Sequence, residues 1–138
     1  MKNDLFETKT AIVLERGLLA WQELNVTAFL ASAVAHKHPN TMGPVFTDAS
    51  KVDYLAIFRQ PVLIFQADGN KLRKTYRLAR ERGLEIGIYT RPIFQTQGDD
   101  NLRAIAAVTE TEQDLVGIVV YGKTELVNQC TKHISLHP

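Results

Sequence analysis

The residues best suited to ligand chemistry fall in two polar clusters, one between residues 25 and 48 and one between residues 91 and 96. An amide such as that of Asn25 donates and accepts hydrogen bonds, the Asp48 carboxylate accepts them, and the Arg91 guanidinium pairs with anions. Each group also has a structural interpretation, since Asn25 can cap a helix and Asp48 can close a turn. The full set of candidate ligand-binding residues is Asn25, Thr27, Gly43, Asp48, Arg91, Gln95 and Thr96.

A second candidate site is the basic segment 68–83. It contains six basic and two acidic residues, which give it a net charge of +4 on a chain whose overall charge is +1. Arg73, Lys74 and Arg77 lie away from the apolar stripe of the predicted helix, where they are suited to contact RNA or another phosphate. The same pattern is typical of a solvent-exposed helix face, with Arg77 paired to Glu81. The nearly neutral chain as a whole does not favour RNA as a partner.

The sequence lacks the motifs of nucleophilic catalysis and of nucleotide binding. Neither Gly-x-Ser-x-Gly nor Gly-x-Gly occurs, which argues against a serine-hydrolase elbow and a dinucleotide loop. Cys130 is the single cysteine and is predicted to be a small buried residue. The histidines form two pairs, His36 with His38 and His133 with His137. A metal site would require both pairs to converge, or a carboxylate to join one of them. We therefore expect no metal and no cofactor.

Length and composition are those of one folded domain. The 138 residues are 45% hydrophobic and 22% charged, values typical of globular proteins, and no repeat or linker divides the chain. We expect a single domain over residues 1–138. The first residues contain no apolar stretch long enough for a signal peptide or a membrane span. The expectation is a cytoplasmic protein without a membrane partner.

Short apolar runs alternate with helical patterns along the chain. The runs predict strands at 9–15, 61–65, 84–90 and 115–121, and the spacing predicts helices over 24–37, 68–82 and 124–132. This alternation is typical of the α/β class. Ligands bind outside the carboxyl ends of strands in open α/β sheets. We therefore expect the two polar clusters to meet at one rim, with the long loop 39–60 beside it or over it.

Three segments in this order resemble the type-two peptidyl-tRNA hydrolase fold: KTAIVLERGLLAWQELNVTAFLASAV, PVLIFQADGNKLRKTYRLARERGLEIGIYT and DLVGIVVYGKTELVNQCTKHISL. The resemblance is closer to a family that shares this fold, the domain-of-unknown-function two-thousand family. Together with the element pattern, it implies a three-layer α-β-α sandwich with a mixed sheet of about four strands. The features that carry it are Asn25-Val26-Thr27-Ala28, Gly43 with Asp48, Pro61, and the run from Gly117 to Gly122.

The chain departs from the hydrolases where their activity resides. Those enzymes have a catalytic lysine before the first helix, whereas residues 19–25 here contain no lysine and Asn25 stands about where it would be. They also have an aspartate after the third strand, where this chain has Arg91-Pro92. A neutral amide cannot replace an ammonium that stabilises negative charge, and a permanently protonated guanidinium cannot act as a base. The resemblance therefore implies the fold without the activity.

Three functions stay open at this point. The first is binding of a small or phosphate-bearing ligand at the Asn25/Asp48/Arg91 rim, without peptidyl-tRNA hydrolase activity. The second is hydrolysis of an ester or amide linkage, for example in an aminoacylated RNA, by a rearranged set of polar groups. The third is a homodimeric assembly module that buries an apolar face between two copies. Enzymatic activity is left open, because the lysine and aspartate of the hydrolases are not matched.

Overall fold

A five-stranded mixed sheet forms the centre of the computed structural model, which describes residues 6–138. The strands are β1 (Thr8–Glu15), β2 (Phe46–Thr47), β3 (Asp53–Tyr54), β4 (Val62–Ala67), β5 (Glu85–Thr90), β6 (Leu115–Lys123) and β7 (Ser135–Leu136). The helices are α1 (Ala20–Lys37), α2 (Gly69–Glu81), α3 (Asp99–Ala106) and α4 (Thr124–Thr131). The sheet order is β5-β6-β1-β4-β7, and β2 and β3 form a separate hairpin. The sequence predicted the four long strands of the sheet; the fifth, β7, is only two residues long.

The direction of each strand follows from its pairing with a neighbour. β1 is parallel to β4, with Ile12 opposite Ile64, and antiparallel to β6, with Ile12 opposite Val119. β5 is also antiparallel to β6, so β1, β4 and β5 all run the same way. Their carboxyl ends therefore lie at one edge of the sheet, here called the carboxyl edge, and their amino ends at the opposite amino edge. α1 is part of the crossover that parallel strands require.

Helices cover both faces of the sheet, because alternate residues of β1 point to opposite sides. Ala11 and Val13 belong to the core cluster that contains residues of α2 and α4, and Ile12 and Leu14 to the cluster that contains residues of α1. None of these four side chains is more than 2% exposed. A strand buried on both faces consists of a continuous apolar run, which is why the sequence predicts β1 well. None of the described helices is long and apolar enough to cross a membrane.

α1 begins at Ala20, earlier than the predicted start at Leu24, so the prediction that Asn25 caps this helix is wrong. Leu19 occupies the cap position, and its amide donates a hydrogen bond of 2.9 Å to Gln22 Oε1. This bond satisfies the Leu19 amide, although Leu19 has no side-chain oxygen to cap the amides that follow it. The usual start signal is therefore missing from the sequence, and Asn25 lies in the second turn with its side chain exposed.

α1 approaches the sheet closely at Gly117 of β6. A Cβ atom at Gly117 would lie 2.5 Å from Val26 Cγ1, and one at Gly87 of β5 would lie 2.8 Å from Val119 Cγ1 and 3.6 Å from Ala33 Cβ. A glycine at both positions leaves the space in which the buried face of α1 packs.

Gly117→Ala is expected to lower the free energy of unfolding by about 1–3 kcal/mol, the usual cost of an overpacked core. Val26 cannot rotate away, because a valine in a helix has one strongly preferred χ1. Urea denaturation measures the change. Gly43→Ala is the matched control: a Cβ there would lie 3.5 Å from its nearest neighbour, and its effect should stay within about 0.5 kcal/mol. Equal effects of the two substitutions would contradict the close approach at Gly117.

Candidate functional site

An open cleft of about 500 Å³ lies between the amino-terminal half of α1 and the segment that joins β5 to α3. We call it the aromatic cleft. Of the residues that the sequence singled out, the structure brings Asn25 and Thr96 together here. The lining residues are Trp21, Asn25, Phe29, Ile88, Tyr89, Ile93, Phe94, Thr96, Gln97, Gly98 and Asn101.

Four aromatic rings form a connected series along this cleft. Trp21 meets Phe94 edge-on, with ring centroids 5.8 Å apart, and Phe94 lies 5.1 Å from Tyr89. Tyr89 in turn lies 6.0 Å from Phe29. Tyr89 is buried, whereas Trp21 is 53% and Phe29 59% exposed. The two outer rings therefore leave aromatic surface available to a ligand, which is a large source of binding energy when it is covered.

The polar groups of the cleft are uncharged. The Thr96 hydroxyl donates to Asn101 Oδ1, which leaves the Asn101 amide hydrogens free. Three polar groups of the cleft have no hydrogen-bond partner within residues 6–138: the side-chain amides of Asn25 and Gln97, and the Tyr89 hydroxyl. Burial raises the pKa of Tyr89, so its hydroxyl stays a donor at neutral pH. The cleft therefore offers donors and acceptors without an ionic group.

Arg91 does not line the aromatic cleft, contrary to the expectation of one shared rim. Its Nη2 donates to Glu15 Oε2 at 2.7 Å and its Nε to Asp114 Oδ2 at 3.0 Å. Its main-chain amide also donates to the Asp114 carbonyl at 2.9 Å. Hydrogen bonds to Glu15 and then Asp114 raise the pKa of Arg91. The guanidinium thus joins the ends of β5 and β1 to the loop before β6. Gln95 is exposed in the turn that follows it.

Gly43 and Asp48 lie in a hairpin arm, residues 42–58, that contains β2 and β3 and is closed by the bridge between Met42 and Phe58. The arm begins at the amino edge, where Gln60 Nε2 donates to Thr8 Oγ1 at 3.1 Å. Arg91 bonds to Glu15, at the opposite end of β1 from Thr8. The seven-residue separation of Thr8 and Glu15 corresponds to about 23 Å at the usual rise per residue of a strand. The base of the arm, which contains Gly43, therefore lies away from Arg91, and the expected meeting of the two polar clusters at one rim does not include Gly43. The Gly43 amide donates to the Ile57 carbonyl at 2.8 Å within the arm.

Asp48 has the turn-forming role that its residue type allows. Its carboxylate accepts hydrogen bonds from the Val52 amide at 3.0 Å, the Tyr54 hydroxyl at 2.8 Å and the Ser50 amide at 2.8 Å. These bonds, with that from Val52 the strongest influence, lower the pKa of Asp48. Asp48 therefore fixes the tip of the hairpin arm, and all three hydrogen bonds that its carboxylate accepts come from residues of the arm.

Thr27 lines a different cavity of about 350 Å³, which contains a Glu23–His137 pair that the sequence did not reveal. The two side chains are joined at 2.8 Å between His137 Nε2 and Glu23 Oε2. Thr27 and Asn25 are two residues apart on α1 and so point to different sides of the helix. Proximity of Glu23 to His137 depends on the carboxyl-terminal segment returning to α1, and no local pattern signals that return.

The basic residues of α2 separate into two groups. Arg73 and Arg77 line a cavity of about 360 Å³ together with Tyr76 and Glu110, while Lys74 does not. Arg73 Nη2 donates to Asn70 Oδ1 at 2.9 Å. Glu110 accepts from the Tyr76 hydroxyl at 2.7 Å, and it also pairs with Arg80. The predicted Arg77–Glu81 pair is not among the ion pairs formed within residues 6–138, where no cluster of three metal-ligating side chains occurs either.

The Glu23–His137 pair predicts a pH dependence of stability. The hydrogen bond from Glu23 raises the pKa of His137 above its ordinary value of 6.5. The protonated form is therefore favoured in the folded state, so this stabilisation is complete below pH 6.5 and is lost as the pH rises through the raised pKa. His137→Gln should remove that loss, as measured by urea unfolding across this pH range.

His36→Gln is the control for this experiment, because His36 is exposed and makes no side-chain hydrogen bond in the described part of the chain. It should keep the wild-type pH profile, and comparison with wild type separates His137 from the other histidines. An unchanged profile in His137→Gln would contradict the coupling to Glu23.

Comparison with known proteins assigns the chain to a family without assigning an activity. Among curated proteins none matched this sequence. A solved structure of a protein of unknown function from Agrobacterium tumefaciens strain C58 superposes with a TM-score of 0.92 at 29% identity, over 96% of this chain and 99% of that one. The family model described as "Protein of unknown function (DUF2000)" matches residues 8–138. Since that match spans nearly the whole sequence with its strands and helices, the chain belongs to the DUF2000 family.

Proposed function

We propose that this chain binds a small planar organic molecule in the aromatic cleft. The observation that carries the proposal is the series of four rings from Trp21 to Phe29, which borders unpaired amides and no charged side chain. Ligand pockets in proteins are typically clefts of about 300–1,000 Å³ lined by aromatic and aliphatic groups with a few polar groups for orientation. The aromatic cleft has this composition and this size.

The chemistry of the lining favours a heteroaromatic ring over an aliphatic or anionic ligand. A flat ring can stack on the exposed faces of Trp21 or Phe29, because every such ring has a π-face. The amides of Asn25 and Gln97 present a donor next to an acceptor, which suits the hydrogen-bonding edge of a nucleobase or a similar ring. The Tyr89 hydroxyl adds a further donor. The ligand class we propose is therefore an uncharged, nucleobase-like heteroaromatic.

This proposal revises the one that the sequence suggested. Asn25 and Thr96 remain in the binding site, whereas Arg91 and Asp48 serve the fold. A phosphate group has little support here, since no lysine, arginine or histidine is among the residues that line the cleft within the described part of the chain. Hydrolysis has little support either, because a general base must be within reach of the ligand and the lining residues include no aspartate, glutamate, histidine or lysine.

We also propose the finer fold assignment, the three-layer α-β-α sandwich of the type-two peptidyl-tRNA hydrolase-like superfamily. What supports it is the mixed sheet with α1 on one face and α2 and α4 on the other, in the element order of the resemblance. Within that assignment, the cleft lies beside the two segments where this chain departs from the hydrolases, residues 19–25 and 91–96. A change of ligand without a change of fold accounts for both departures.

The proposal is tested by adding ligand and measuring the fluorescence of the single tryptophan, Trp21, which lines the cleft. Adenine, adenosine, adenosine monophosphate and nicotinamide serve as probes at millimolar concentration. We expect quenching by the heteroaromatic probes, with equal affinity for adenosine and its monophosphate. Phe29→Ala should weaken binding about tenfold, the size expected for loss of one stacking contact, and Asn25→Ala about fivefold for loss of one hydrogen bond.

The matched controls are Phe46→Ala and Asn40→Ala, which remove the same side chains from exposed positions outside the cleft. Both should bind as wild type does. Absence of quenching by every probe, or equal loss in Phe29→Ala and Phe46→Ala, would refute the proposal. Tighter binding of the monophosphate would instead restore a phosphate-bearing ligand.

A further inference from the structure

A cavity of about 360 Å³ lies between α2 and the segment that leads into β6. We call it the arginine cavity. It lies on the face of the sheet that α2 covers, because Leu115 belongs to the same core cluster as Leu72 and Ala79 of α2. The aromatic cleft lies beside α1 on the other face. The lining residues on which the inference depends are Arg73, Tyr76, Arg77, Glu110 and Thr111.

Two guanidinium groups line the arginine cavity from one side of α2. Arg73 and Arg77 are four residues apart, which places their side chains one turn apart on the same helix face. Arg73 Nη2 donates to Asn70 Oδ1 at 2.9 Å, a neutral partner that leaves its charge uncompensated. Arg77 forms no hydrogen bond or ion pair with any residue from 6 to 138. Paired arginines suit a phosphate group, because a guanidinium fork binds two phosphate oxygens at once.

The carboxylates near these arginines are held by other cations. Glu15 lies near Arg73, but its Oε2 accepts a hydrogen bond of 2.7 Å from Arg91. Glu110 lines the cavity, and its Oε2 accepts a hydrogen bond of 3.1 Å from Arg80. Neither carboxylate forms an ion pair with Arg73 or Arg77 in the described part of the chain. The two arginines are therefore available to an anion.

The same cavity also contains groups that bind hydroxyls. Both hydrogen bonds that Glu110 accepts, from Tyr76 and Arg80, end at Oε2, so its Oε1 has no partner among residues 6–138. The adjacent Thr111 hydroxyl has no partner there either. A carboxylate oxygen only accepts hydrogen bonds, so it binds the hydroxyl groups of a ligand and repels a second phosphate. The lining therefore favours an anionic group and hydroxyl groups in one molecule.

We propose that the arginine cavity binds a small phosphorylated polyol, such as a sugar phosphate. Its phosphate group binds Arg73 and Arg77, and its hydroxyl groups bind Glu110 and Thr111. A cavity of about 360 Å³ lies in the usual volume range of ligand sites, about 300–1,000 Å³. The site is independent of the function proposed for the aromatic cleft, since the two share no lining residue. Lys74 is exposed but does not line the cavity, which favours a small ligand over an extended RNA backbone.

Isothermal titration calorimetry of the full chain at low salt tests this inference, with ribose phosphate, inorganic phosphate and ribose as probes. We expect ribose phosphate to bind more tightly than inorganic phosphate, and ribose alone to show no binding. Arg77→Gln should weaken ribose phosphate binding at least about tenfold, the effect of losing a hydrogen bond to a charged group. Thr111→Ala should weaken it about fivefold, for loss of one neutral hydrogen bond, and leave inorganic phosphate unaffected. Both side chains are exposed, so the variants should keep the wild-type circular dichroism spectrum.

Lys74→Gln is the matched control, because it removes one positive charge from α2 at an exposed position outside the cavity. It should bind ribose phosphate as wild type does. Absence of binding by every probe, or equal weakening in Lys74→Gln and Arg77→Gln, would overturn the inference. Equal affinity for ribose phosphate and inorganic phosphate would also overturn it, since the hydroxyl contacts would then be missing. Trp21 fluorescence should not respond to ribose phosphate, so failure of this site and failure of the aromatic cleft are separate results.

Discussion

The close approach of α1 to the sheet is the constraint on which the candidate site depends. Glycine at position 117 admits Val26 against β6, and the glycine at position 87 lies beside Ala33 and Leu30. This contact fixes both the distance and the rotation of α1 over β5 and β6. With Val26 and Leu30 directed inward, Trp21, Asn25 and Phe29 come to lie on the side that faces Tyr89 and Phe94. The cleft thus results from the way the helix is packed.

The sequence pattern predicts the long strands of the fold, but it does not predict where α1 begins. The runs 9–15, 61–65, 84–90 and 115–121 predict β1, β4, β5 and β6 because buried strands are continuously apolar. The first turn of α1 escapes prediction because Leu19 carries no capping oxygen and Gln22 supplies the bond instead. The sequence therefore predicts Asn25 as a site residue at the start of the helix. In the structure Asn25 lies in the second turn of α1 and lines the cleft.

The position of the hairpin arm follows from the direction of the strands that it connects. A helix that connects two parallel strands returns the chain from their carboxyl ends to their amino ends. The loop between α1 and β4 must therefore begin and end at the amino edge, away from Arg91. The residue chemistry of Gly43 and Asp48 does not contain this information about the direction of the chain. The ring contacts of the cleft are different: Trp21 and Phe94 are far apart in sequence, and no local pattern signals their contact.

Charged groups of this chain pair with one another at the periphery and leave the cleft neutral. Arg91 is held by Glu15 and Asp114, Glu110 by Tyr76 and Arg80, and Glu23 by His137. The side chains of these ion pairs are between 19% and 60% exposed. Ion pairs in contact with solvent add little stability individually, but each one occupies a group that would otherwise be available to a ligand. The basic face of α2 remains the main unneutralised charge, on the opposite side of the sheet from the cleft.

The central claim is that ligands bind between α1 and the segment after β5. The most direct measurement is nuclear magnetic resonance mapping of a mixture of planar heteroaromatic fragments on the ¹⁵N-labelled chain. The account predicts that bound fragments shift the indole N–H of Trp21 and the side-chain amides of Asn25 and Asn101, with little change elsewhere. Fragments that instead shift residues around Arg73 and Tyr76, or around Glu23 and His137, while Trp21 stays unchanged, would contradict it.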